Sequence, residues 1–198
     1  MNEIDNILRI LVETKKAIET GNYSEIKNLS NQTINTASLT QDPDNINVAV
    51  IVYSLNKIFE RENYKNYPEW KKLSKTIISS LECSIEDLEK NDLKDFRKDF
   101  ENIRLCINKI SGKLKEYIQE VFRKAKINKA SRIYEHGISM EQTAKLLGIT
   151  MFELADYAGK TGIADVSESK TLDAKSRIKL AEEIFRWRKK FSFLILVV

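Results

Sequence analysis

Arg123, Lys124, Lys126, Lys129 and Arg132 place five cations within ten residues. A helix with such a run can hold the phosphates of a duplex, because each neutralised phosphate releases a condensed counterion. The alternative is a solvated helix face without a ligand. Just beyond the run, the stretch from Ile138 to Tyr157 has the spacing of a helix-turn-helix. Ala144 is small where two helices must touch, and Gly148 stands at the turn, where a positive φ is easiest for glycine. Thr150 is placed as the N-cap of a second helix that buries Leu154 and Tyr157. In many regulators that helix enters the major groove, which here would bring Thr150, Met151, Phe152 and Lys160 to the bases. It is an unusual probe, however. It offers Met151, Phe152, Glu153, Ala155 and Asp156 with no cation before Lys160, whereas bases are read by Arg, Lys, Asn, Gln or Ser. Either Met151 and Phe152 touch thymine methyls, or this surface meets a protein.

Other chemistry is poorly supported. The single histidine, His136, falls at an expected helix end before Gly137, where a cation favours the helix C-terminus. No Ser-His-Asp set, Cys-His pair or metal-ligand cluster is spaced for catalysis, and no cofactor is expected. Gly159-Lys160-Thr161 ends like a phosphate-binding loop, but that pattern needs glycine where Leu154 stands and a strand before it. Glu86, Asp87, Glu89, Asp92, Asp95 and Asp99 alternate with lysines as on a solvated helix face. Cys83 and Cys106 lie in unrelated contexts and are expected to be buried, reduced thiols of a cytoplasmic protein. The polar, acidic start differs from a basic-then-apolar leader. No apolar run approaches the roughly 20 residues of a membrane span.

The elements that must position these residues are expected to be helices throughout. Six glycines and two prolines in 198 residues favour long helices over a turn-rich β fold. Ile4, Ile7, Leu8, Leu11, Ala17 and Ile18 predict a first helix ending at Gly21, and a second starts at Tyr23. Residues 41–45 read as a turn. From Ile46 to Phe59 the chain is apolar almost all round, as in the buried centre of a bundle. A connector with Pro68 precedes a helix through Leu73, Ile77 and Leu81, and Asn91-Asp92 marks a break. Phe96, Phe100, Ile103, Ile107, Ile110, Leu114, Tyr117 and Val121 then recur every four and three residues, a heptad seam. It serves either the bundle core or a homodimer interface. The helix can continue to Tyr134 as a stiff rod that supplies the first helix of the helix-turn-helix, with Gly112 and Asn128 as the candidate interruptions. Gly159 to Gly162 reads as a loop, 173–190 as a basic helix, and Phe191 to Val198 as an apolar tail.

The expected organisation is therefore all-α: a helical bundle over 1–118, a helix-turn-helix module over 119–166, and a basic C-terminal helix with tail over 167–198. Residues 1–118 carry net charge −1 and residues 119–198 carry +5, so the positive excess lies on the helix-turn-helix side.

The stretch Ile138-Ser139, Ala144, Leu146-Leu147-Gly148-Ile149 and Phe152 resembles the helix-turn-helix of prokaryotic antitoxin-like proteins that accompany PIN-domain ribonucleases. Thr143 replaces their usual alanine and Thr150 their usual serine; the likeness covers about residues 130–166. It implies a transcription regulator that binds double-stranded DNA, or a partner that neutralises a toxin protein. The N-terminal half loosely resembles the helical bundles called HEPN domains. Their nucleases carry Arg and His with four to six residues between them, whereas Arg132 and His136 have three intervening residues and lie outside the bundle. That departure removes the nuclease chemistry and leaves, at most, a nucleotide-binding bundle. The leading expectation is a dimeric DNA-binding regulator of antitoxin type; the alternative is a protein–protein adaptor with a structural helix-turn-helix.

Overall fold

The computed structural model describes residues 3–110 and 112–162. Among these, the chain forms eight α-helices and no strand: α1 (Ile4–Thr20), α2 (Tyr23–Thr40), α3 (Pro43–Phe59), α4 (Trp70–Glu89), α5 (Leu93–Asn108), α6 (Gly112–Glu135), α7 (Met140–Leu147) and α8 (Met151–Thr161). The expected all-α class holds. Among the described residues no helix is long and apolar enough to cross a membrane. The expected C-terminal helix and apolar tail lie outside the described residues.

Helix ends follow local chemistry. Gly21 closes α1 in a left-handed conformation, with its N–H and that of Asn22 turned back to Ile18 and Ala17 carbonyls. The turn expected over 41–45 is shorter. Gln41 ends α2 and Asp42 caps α3 by accepting from the Asp44 N–H at 2.9 Å, while Pro43 occupies the first helical turn, where a missing N–H costs nothing. Asp92 caps α5 in the same way, accepting from the Lys94 and Asp95 N–H groups.

As its pattern predicts, α3 is the buried centre. Val48, Ala49, Val52, Leu55 and Ile58 have no exposed surface, and each fully buried Val, Leu or Ile side chain contributes about 1.5–3 kcal/mol. Ser30 of α2 donates to the Ala49 carbonyl at 3.0 Å, and Asn56 donates to the Tyr23 carbonyl. These bonds pin α2 to α3 near mid-helix and where α2 begins.

The seam residues Phe96, Phe100, Ile103, Ile110, Leu114 and Val121 all pack in one core with α1, α3 and α4. Of the two roles open to it, the seam fills the bundle. Those six side chains are thus covered within a single chain. Tyr117 departs from the pattern: it is 45% exposed and stacks on Tyr64 with ring centres 6.2 Å apart. The expected rod is also broken. Gly112, at φ 68°, separates α5 from α6, whereas the helix runs unbroken through Asn128. The boundary expected between 118 and 119 falls inside α6.

A second apolar cluster joins the helix-turn-helix to the bundle. Ile34 and Ala37 of α2, Ile46, Ala49 and Val50 of α3, and Ala125, Ala130 and Ile133 of α6 meet Leu147 of α7 and Leu154 of α8. Cys83 is exposed, against expectation, because it lies on the outer side of α4; Cys106 is buried, and both are free thiols.

Candidate interaction surface at the helix-turn-helix

The turn forms as its residues require. Ser139 caps α7, its hydroxyl accepting from the Gln142 N–H at 3.2 Å. Ala144 is 3% exposed at the contact between helices. Gly148 adopts φ 60°, and the Ile149 N–H returns to the Ala144 carbonyl at 3.1 Å. A Cβ on Gly148 would touch nothing within 4 Å, so the left-handed backbone alone requires glycine here. Thr150 and Glu153 then form a reciprocal capping box: the Thr150 hydroxyl accepts from the Glu153 N–H at 3.1 Å, and the Glu153 carboxylate accepts from the Thr150 N–H at 3.0 Å. Leu154 and Ala158 are fully buried, while Tyr157 is half-buried and accepts from the Asn128 side chain at 3.1 Å. The loop expected at Gly159 is absent: α8 runs on to Thr161, and Gly162 closes it at φ 69°.

Of the expected groove-facing residues, Met151 and Phe152 stand out on the surface, 50% and 87% exposed. The Thr150 side chain is exposed but its hydroxyl is engaged in the cap. Lys160 is bound to Asp156 at 2.6 Å. Glu153 is not a carboxylate turned at a ligand, because hydrogen bonds from Thr150 occupy it and hold its pKa below the usual value.

The basic run of α6 divides among several roles. Arg123 binds Glu120 at 2.9 Å and reaches Glu153 at 3.4 Å, and Lys124 also binds Glu120 at 3.3 Å. With Arg123 its foremost partner, the Glu120 carboxyl is pulled down to about 2. Arg132 is exposed and binds Glu135 at 2.9 Å. Among the described residues the half-buried Lys126 has no ion-pair partner, and burial first, then the neighbouring Arg104, lower its pKa.

Lys129 overturns its expected role. It has no exposed surface and cannot reach a phosphate. Its ammonium donates to the Asn31 side-chain oxygen at 3.2 Å and lies 4.3 Å from the centre of the Tyr53 ring. Burial, with Arg132 and Lys27 adding repulsion, pushes its pKa down to about 7. The residue lies four positions from both Ala125 and Ile133, on one helix face, which is the signal that could have located it.

Electrostatically, the helix-turn-helix proper is close to neutral: from Ser139 to Gly162, Lys145 and Lys160 stand against Glu141, Glu153 and Asp156. Sequence reasoning did not single out Arg104, Leu105, Lys145 or Tyr53. Arg104 and Leu105 of α5 border a cleft of about 300 Å³ with Arg123, Lys126 and Ile149. Had α5 and α6 been one helix, Arg104 and Lys126 would lie roughly 33 Å apart at 1.5 Å per residue. The reversal at Gly112 brings them together. Compared with known proteins, the chain matches no family model, no curated protein and no solved structure.

Proposed function

We propose that this chain is an interaction protein whose working surface is the first turn of α8, and that its partner there is another protein, as in the toxin-neutralising role of antitoxins. The exposure of Phe152 carries this reading. A phenylalanine 87% exposed beside a half-exposed Met151, on a helix start fixed by a capping box, is an anchor awaiting an apolar pocket. The neutral face behind it adds little long-range attraction for a polyanion. Free thiols at Cys83 and Cys106 fit a cytoplasmic setting.

A second reading keeps duplex DNA as the ligand. It is favoured by one observation: α6, α7 and α8 build a helix-turn-helix whose second helix presents its N-terminal turn outward. The groove would then receive Met151 and Phe152, with Arg123, Lys124 and Arg132 on the backbone.

Co-expression with the product of the neighbouring gene tests the first reading. We expect one complex in size-exclusion chromatography, lost in Phe152→Glu and retained in Lys160→Ala. A complex indifferent to Phe152 defeats the protein-docking role. Titration of the duplex upstream of the gene tests the second: binding that weakens steeply with salt, and less steeply in a Lys124→Ala/Arg132→Ala variant, establishes DNA as the ligand.

A further inference from the structure

Beside the α7–α8 turn lies a second cleft, of about 250 Å³, bordered by α3, α5, α6 and α7. It shares Arg104, Lys126 and Gly148 with the cleft described above. Three cations line it: Arg104 from α5, Lys126 from α6 and Lys145 from α7. Among the described residues its lining contains no carboxylate. The floor is apolar, formed by Ile46, Val50 and Leu147, residues of the cluster that joins the helix-turn-helix to the bundle.

Three positive side chains around one apolar hollow are unfavourable unless something negative joins them. Lys126 is the clearest case, being half-buried, beside Arg104 and, among the described residues, without an ion-pair partner. Lys145 is exposed and, among the described residues, also unpaired. Two carboxylates of the adjoining cleft act on Lys126, and both are already engaged, one of them with the Arg104 that the two clefts share. Glu101 binds Arg104 at 3.1 Å, and Glu153 caps α8. Arg104 uses one terminal nitrogen for Glu101, which leaves other guanidinium donors of its fork available.

We propose that this cleft binds a small organic anion with a short apolar body, its acid group held by Arg104, Lys126 and Lys145 and its body laid on Ile46, Val50 and Leu147. The volume is below the usual range for drug-sized ligands, about 300–1,000 Å³, so the ligand is small. Charge-assisted hydrogen bonds from Arg and Lys suit a carboxylate or a phosphate monoester alike. Because the walls come from both the bundle and α7, the bound anion bridges the two parts of the molecule. The proposal does not depend on what Phe152 contacts.

Calorimetric titration of the full chain with octanoate, octyl phosphate, octanol and inorganic phosphate tests it. The expected result is a single site for octanoate or octyl phosphate, whichever headgroup is preferred, with octanol and inorganic phosphate each weaker by about tenfold or more. Lys126→Gln and Lys145→Gln each weaken the preferred anion by about tenfold. Lys145 is exposed, so its variant keeps the wild-type melting temperature and reports on binding alone. Lys124→Gln, outside the cleft, leaves the affinity unchanged. Failure of both amphipathic anions to bind at millimolar concentration overturns the proposal, as does affinity retained in Lys145→Gln. Inorganic phosphate binding as tightly as octyl phosphate overturns the apolar half of the site.

Discussion

The two halves of α6 belong to different interiors. The first half sends Leu114, Ile118, Val121 and Phe122 into the bundle core among large aliphatic and aromatic side chains. The second half sends Ala125, Ala130 and Ile133 into a smaller cluster, and beside them it buries Lys129. One helix therefore passes from a mainly apolar environment into one that holds a cation against an amide oxygen and an aromatic ring. The first core is built for stability. The second accepts a costly group at the place where the helix-turn-helix joins, and small alanines there allow close helix approach instead of deep side-chain burial.

The sharpest separation comes from deleting volume in the first core. Phe96→Ala should cost about 3–5 kcal/mol in urea denaturation, and the signal of every helix should be lost in one transition. Leu154→Ala, in the second cluster, should cost about 2–4 kcal/mol. Its amide exchange should speed most in α7 and α8; uniform acceleration through α1–α5 would mean that the two interiors are one. Replacing the buried cation comes next. Lys129→Met should stabilise the chain at pH 7 by about 1–3 kcal/mol, because removing a buried charge in favour of apolar volume relieves its desolvation.

The same residue sets a pH dependence whose sign is fixed. Its folded pKa of about 7 lies below the ordinary 10.5, so between those values the unfolded chain binds more protons. Stability should rise as pH increases from about 7 toward 10, and this gain is lost as pH falls back through about 7. The Lys129→Met variant should lack that slope; an equal slope in both proteins would show that another group titrates. Smaller effects belong to the turn. Gly148→Ala should cost about 1–2 kcal/mol from the left-handed backbone, and Thr150→Ala about 1 kcal/mol from the lost cap. Both are measurable as melting shifts that leave the bundle's exchange pattern intact.

Much of this architecture was legible in residue patterns. All-round apolarity identified α3 as the centre, and Gly148 with Thr150 identified the turn, because both signals are local. The break between α5 and α6 was harder to read. The heptad spacing continues through Gly112 without a missing beat, since the same core receives side chains from both helices after the chain reverses. For that reason the pairing of Arg104 with Lys126 had no sequence signature. The burial of Lys129 was overlooked for a different reason: a lysine among four other cations reads as a solvated face, and only its register with Ala125 and Ile133 places it inside. Phe152 is unusual already in the sequence, and the structure shows why it protrudes: it lies within the capping box, between Thr150 and Glu153, on the helix side opposite Leu154.

The short link between α2 and α3, only Gln41 and Asp42, bears on how the chain acquires its shape. Closing so small a loop costs little entropy, and the same is true of the Lys90–Asp92 link between α4 and α5. These neighbouring helices can pair early, from contacts close in the chain. Helix α6 must wait, since its Lys129 finds Asn31 across 98 positions. During synthesis both hairpins leave the ribosome before α6 does. Among the described residues, the junction that carries the buried cation and the anion cleft is accordingly the last part to assemble.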